Sequence, residues 1–177
     1  PRARTFANDY IGLFWASYIH QPEDLSIRFP GFENVEGKST KDYPEPLMVR
    51  GVTPQHGTQA THRGKGDNRM FNHDTDFPLS LVFGYSRHRF DQPWYFGVSH
   101  SMGFAQIFRD NDLIRLTQSP SGGGSGNPAW DFQYFVPKYE VGKTYRFVMR
   151  AVYHPFNRRA EFFDRIAEEY TRLNAGQ

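Results

Sequence analysis

Aromatic side chains, set in short runs that alternate with polar ones, constrain this chain more than any other feature. Phe, Tyr and Trp number 17, 10 and 3 among 177 residues. Leu25, Ile27 and Phe29, for example, alternate with Ser26 and Arg28. A period of two sends successive side chains to opposite faces of a strand, and aromatic rings suit a pleated, half-buried surface. The 16 Gly and 12 Pro supply turns between such segments. The expected fold is all-β: an antiparallel β-sandwich with one C-terminal α-helix, as a single domain over residues 1–177.

Strands are predicted at Tyr10–Ile19, around Leu25–Phe29, and at Leu47–Val52, Leu79–Tyr85, Trp94–His100, Met102–Arg109, Leu113–Ser119, Trp130–Val136 and Lys143–Tyr153. The first two are expected to form a hairpin across His20–Asp24. Pro30–Pro46 reads as a loop. Thr53–Pro78 is polar, rich in Gly, His, Asn, Asp and Arg, and without periodicity. It reads as one long loop, of the kind that carries function or lacks fixed structure. Ser119–Pro128 is a Gly-rich loop. From about residue 157 to 174 the period becomes helical through Phe163, Ile166, Ala167, Tyr170 and Leu173, behind the candidate N-cap Asn157. No repeat of fixed period occurs, which argues against propellers and solenoids.

Several classes are excluded or disfavoured. The chain has no cysteine, so disulfides, zinc–thiolate sites, iron–sulfur clusters and a cysteine nucleophile are ruled out. A formal net charge of +2 argues against a nucleic-acid partner. The longest apolar run, Tyr10 to Ile19, is about half of what spans a bilayer, so no membrane partner is expected. The sequence begins at Pro1 without an initiator Met, and the C-terminal part of a longer protein is an expectation.

Seven histidines raise the question of a metal. His56 and His62 flank the Gly-rich part of the long loop, His73 opens an HDTD run with Asp74 and Asp76, and His88 and His100 lie near strand ends. There is no H-x-H and no H-E-x-x-H, so no metal or cofactor is assigned. Gly97-Val98-Ser99-His100-Ser101 lacks the last glycine of a nucleophile elbow. Gly122–Gly126 lacks the Lys-Ser/Thr of a phosphate loop. Acid–base candidates are Glu23, Asp24, Asp74, Asp76 and Asp131. Among aromatics, Trp94-Tyr95 follows Arg87-His88-Arg89, and Trp130 follows the Gly-rich loop, whereas Trp15 is expected in the core. A sugar ring has an apolar face for an aromatic platform and a hydroxyl rim for Arg, Asp, Asn and His, and Arg also pairs with uronic carboxylates.

Three segments, LFWASYIHQPEDLSIRF, LTQSPSGGG and NPAWDFQYFVPKYEVGKTYRF, resemble an uncharacterised group of bacterial proteins. The likeness runs from Tyr10 to Tyr153. That group is similar in turn to the galactose-mutarotase-like supersandwich. The resemblance implies a supersandwich-like antiparallel fold with a carbohydrate-facing concave sheet, in a chain matching the C-terminal half of longer members. It assigns no catalytic residue, because no position here matches the mutarotase histidines and glutamate by motif.

The expected function is that of a carbohydrate-associated protein, binding or acting on a sugar or sugar acid. Arg87, His88, Trp94, Tyr95, His100 and Trp130 are the expected substrate contacts, and His56, His73 and Asp76 the catalytic candidates. The alternatives are a structural or assembly module, and a His/Asp metal-dependent enzyme.

Overall fold

The computed structural model describes residues 10–32, 48–52, 60–70, 85–120 and 127–176. They form ten strands and one helix: β1 (Tyr10–Trp15), β2 (Ser26–Phe32), β3 (Met48–Val52), β4 (Ala60–Gly64), β5 (Tyr85–Phe90), β6 (Trp94–Ser99), β7 (Met102–Phe108), β8 (Leu113–Pro120), β9 (Pro128–Pro137), β10 (Met149–Pro155) and α1 (Arg159–Asn174). The strands make one curled sheet in the order β1-β9-β8-β4-β5-β2-β6-β7-β10, with β3 paired to β2. The all-β, sandwich-like fold with one C-terminal helix is as expected.

Strand β2 belongs to both halves of this sheet. Its first residues pair with β3 and β6, while Gly31 and Phe32 pair with β5. The change comes at Pro30, which has no N–H to give to a ladder. The two halves face each other across a core of Ile27, Phe29, Tyr95, Phe108, Leu116, Trp130 and Phe132. The closest approach is at Gly97 of β6, where a Cβ would lie 2.2 Å from the indole of Trp130 on β9. Only glycine admits the indole there. The Tyr95 hydroxyl donates to the Trp130 carbonyl at 3.0 Å and ties the halves together.

A second core lies between β6, β7, β10 and α1, and holds Trp94, Phe96, Ala105, Ile107, Val152, Phe162 and Ile166. Trp94 and Tyr95 are neighbours on one strand, so they serve opposite cores. Phe162 sits over Gly103, where a Cβ would lie 2.7 Å from the ring.

The predicted strand Leu79–Tyr85 lies outside the described residues except for Tyr85, and β5 runs over Tyr85–Phe90, where no strand is expected from the sequence. Local expectations fail at further places. Strand β1 does not pair with β2 but with β9, in a register from Tyr10↔Pro137 to Trp15↔Phe132. The chain beyond it stays on β9, through Trp130 N–H to the Ser17 carbonyl and Ile19 N–H to the Pro128 carbonyl, both 2.9 Å. The long polar loop contains β4, which pairs antiparallel with β8 and parallel with β5, so the sheet is mixed. The last strand begins at Met149 rather than Lys143, and residues 143–148 are irregular. Arg158, not Asn157, is the N-cap residue, and no side chain caps it. Trp15 is 52 % exposed, because β1 is an edge strand and its indole stacks on Phe132 from one side only.

His62, on the core face of β4, has a consequence for stability. Its ring lies 4.6 Å from that of Phe29, and its Nε2 is 3.1 Å from Gln118 Oε1. Burial pushes its pKa down to about 4. The unfolded chain takes up this proton near pH 6.5 and the folded chain only near 4. Stability from the neutral ring is therefore complete above pH 6.5 and is lost as the pH falls towards 4, by about 3 kcal/mol. Urea denaturation at pH 7 and pH 4.5 should show a smaller loss for His62→Leu than for the parent protein.

Candidate functional site

The sequence-derived contacts do not share a face. Tyr95 and Trp130 are fully buried between the two half-sheets and offer no platform to a ligand. Trp94 is buried against α1, and its Nε1–H is already given to Gln92 Oε1 at 2.9 Å. Aromatic side chains on paired strands meet each other before they meet solvent, and here they build the cores. His88 is half-buried on β5. His100 is exposed, in the β6–β7 turn. Arg87 lies on β5, with its side chain outside the described residues. His56, His73 and Asp76 also lie outside them.

Asp74 lies outside the described residues as well, and the other acid–base candidates, Glu23, Asp24 and Asp131, have structural partners. Glu23 accepts the backbone N–H of His100 at 2.6 Å and of Ser101 at 2.7 Å. Its own backbone N–H and these two hold its carboxyl below the ordinary carboxylate range. The two donors stand at φ 50 and 61, the left-handed turn of a tight hairpin. Asp24 pairs with Arg28 at 2.6 Å, and Asp131 is buried and accepts the Ser17 N–H at 3.1 Å. The His62 and His88 rings are 6.3 Å apart. Among the described residues no three His, Asp or Glu side chains gather at one point.

What the sheet does bring together is a row of polar side chains on the face of its first half turned away from the core, where Arg115 and Gln133 are nonetheless buried. Strand pairing aligns Arg89 on β5 with Arg63 on β4, Arg63 with Arg115 on β8, Arg115 with Gln133 on β9, and Gln133 with Phe14 on β1. Residues directly opposite across a ladder point to the same side. Alternate positions, Ile114, Leu116 and Phe132, face the core. Phe14, at the edge, is 46 % exposed. From β1 to β4 is three strand spacings, about 14 Å.

The loop after β4 closes one end of this row. Arg115 is fully buried and gives Nε to Asp67 Oδ2 at 3.0 Å, Nη1 to the Tyr85 hydroxyl at 3.1 Å and Nη2 to the Arg69 carbonyl at 2.7 Å. Arg89 donates to the Asp67 carbonyl and, at 3.3 Å, to Asn68 Oδ1. The Arg63 guanidinium lies 4.3 Å above the Tyr85 ring. Burial, then the charges of Arg89 and Arg115, push its pKa down, against Asp67 and Tyr85. The same loop walls a cleft of about 500 Å³ with Lys65, Asp67, Arg69 and Phe90.

Two members of the row have unspent hydrogen-bonding groups. Arg63 Nε and both amide atoms of Gln133 are buried, and no partner for them stands among the described residues. Gln133 is 2 % exposed. Such groups ordinarily have a partner. The signal in the sequence was a lone polar residue inside an apolar strand: Arg115 between Ile114 and Leu116, Gln133 between Phe132 and Tyr134.

Comparison of this chain with protein-family models, with curated proteins and with solved structures returns no match.

Proposed function

We propose that this is a carbohydrate-associated protein that binds a sugar or sugar acid across the outer face of β1, β9, β8, β4 and β5. One observation carries the reading: a single cross-strand row joins an exposed aromatic ring, Phe14, to the half-buried guanidinium groups of Arg63 and Arg89, with the buried Gln133 and Arg115 between them. An aromatic edge meets the apolar face of a sugar ring. Guanidinium groups donate to hydroxyl and carboxylate oxygens. The resemblance to the bacterial group near the galactose-mutarotase-like supersandwich agrees with this reading and adds no catalytic residue to it. The role is binding; any chemistry would need residues beyond this row.

The test is thermal denaturation against neutral sugars, uronic acids and oligosaccharides, each with and without EDTA. A ligand bound only by the folded state raises the midpoint with dose. The reading expects such a rise with at least one sugar class, lost in Phe14→Ala and unchanged in His100→Ala. A fall with EDTA alone would favour the metal-dependent alternative, and a flat response throughout would overturn the carbohydrate reading.

One observation favours the assembly alternative. Strand β1 carries no charge, is the last strand of the sheet on its side among the described residues, and exposes Leu13, Phe14 and Trp15, with Tyr18 beyond it. Exposed apolar edge strands invite pairing with another chain. A flat sugar response together with self-association that Trp15→Lys abolishes would make that reading the better one.

A further inference from the structure

We propose that the groove between α1 and the start of β6 binds a short zwitterionic peptide with apolar side chains, its carboxylate on Arg159 and its ammonium on Asp164. The groove lies on the helix side of the fold, and the proposal is independent of the carbohydrate reading.

The cavity there measures about 880 Å³, a ligand-sized volume. Trp94 on β6 and Phe163, Ile166 and Tyr170 on α1 give it an apolar floor. Ala160 and Ala167, two turns apart on one face of the helix, are exposed and too small to fill it.

Charge singles out the rim. Of the charged side chains of α1, Glu161 pairs with Arg158, Glu168 with Arg165 and Arg172, and Glu169 with Arg172 and Arg150. Arg159 and Asp164 are the two whose side chains have no ion pair or hydrogen bond among the described residues. Both are exposed, and both line the cavity. The Arg159 guanidinium stands 5.5 Å from the Phe163 ring and 5.9 Å from that of Phe156, so its stem is laid against the aromatic wall.

An apolar floor with one unpaired charge of each sign fits a ligand that carries both charges on an apolar body. A neutral apolar ligand answers neither charge, and a fatty acid answers Arg159 but sets its own charge against Asp164. The termini of a peptide carry this pair of charges at neutral pH. Five residues of helix separate Arg159 from Asp164 by about 7.5 Å along the axis, and two residues of extended chain span about 7 Å. A dipeptide therefore reaches from one to the other. Gln92 meets its peptide bond: the Gln92 Oε1 holds the Trp94 Nε1–H at 2.9 Å, which leaves the NH₂ group for a carbonyl of the ligand.

The probes are L-phenylalanyl-L-leucine, its N-acetyl form, which lacks the ammonium, and its C-terminal amide, which lacks the carboxylate. Isothermal titration measures each. The free dipeptide should bind, and each blocked form should bind about tenfold more weakly or worse, the range of a charge-assisted hydrogen bond. Arg159→Gln should make the free dipeptide and its amide equal, and Asp164→Asn should make the free dipeptide and its N-acetyl form equal. Each substitution should leave the other discrimination in place. Ala167→Trp, which fills the groove from an exposed position, should abolish binding at an unchanged denaturation midpoint. Equal binding of all three probes would overturn the proposal, because the groove would then be a plain apolar surface. Discrimination that survives both Arg159→Gln and Asp164→Asn would overturn it as well, and so would absence of binding. A midpoint raised by a sugar in a protein that binds no dipeptide would overturn this proposal alone and leave the carbohydrate reading standing.

Discussion

Gly97→Val should destabilise the protein by about 3 kcal/mol or more, at the upper end of overpacking costs. The reason is the indole of Trp130. A Cβ at Gly97 would sit 2.2 to 2.5 Å from three of its ring carbons. The ring is fully buried between the half-sheets and has no room to retreat. Its backbone carbonyl is held as well, by the Tyr95 hydroxyl. Trp130→Ala should cost a similar amount, about 3–5 kcal/mol, through the cavity it leaves. The two changes are coupled because they act at one contact. Gly97→Ala should cost clearly less in the Trp130→Ala background than alone, by more than the scatter expected for independent sites. Urea denaturation of the four proteins measures this cycle. Additive costs would mean that the half-sheets do not close on Trp130.

Arg115→Met should cost about 3–5 kcal/mol, for a different reason. It leaves the Asp67 carboxylate buried without the guanidinium 3.0 Å away, and it takes donors from the Tyr85 hydroxyl and the Arg69 carbonyl. Removing one partner of a buried pair is much worse than removing both. The double variant Arg115→Met with Asp67→Leu should therefore recover a large part of the loss. Equilibrium denaturation again gives the numbers. A double variant as unstable as the sum of the singles would mean that the pair is not coupled and that the loop after β4 is held by its backbone alone.

The strands built of alternating apolar residues were legible in the sequence, because burial on one face writes itself as period two. So was α1, whose Phe162 and Ile166 face the sheet. Strand β4 was not legible. It reads Ala-Thr-His-Arg-Gly, and its polar side chains meet neighbours far away in sequence: His62 the Gln118 amide, Arg63 the Tyr85 ring. Nothing local marks such a strand. Trp94, Tyr95 and Trp130 misled for the opposite reason. Their local surroundings of Arg, His and Gly read as surface, but pairing with β7 and β8 places them in two cores. The polar row was invisible because Arg63, Arg89, Arg115 and Gln133 come from four strands, and only the order β5-β4-β8-β9 lines them up. The pairing of β1 with β9 rather than β2 is what adds Phe14 to the end of that line.

The arginine side chains offer the most direct view of the central claim. Each Nε–H of an ¹⁵N-labelled sample gives its own NMR signal, and Arg63→Lys identifies the one that belongs to Arg63. On titration with a sugar that raises the denaturation midpoint, the Arg63 signal should move with dose, far more than those of Arg150 and Arg165 on the other side of the fold. An Arg63 signal that stays in place while that sugar saturates the protein would contradict a binding site on this face.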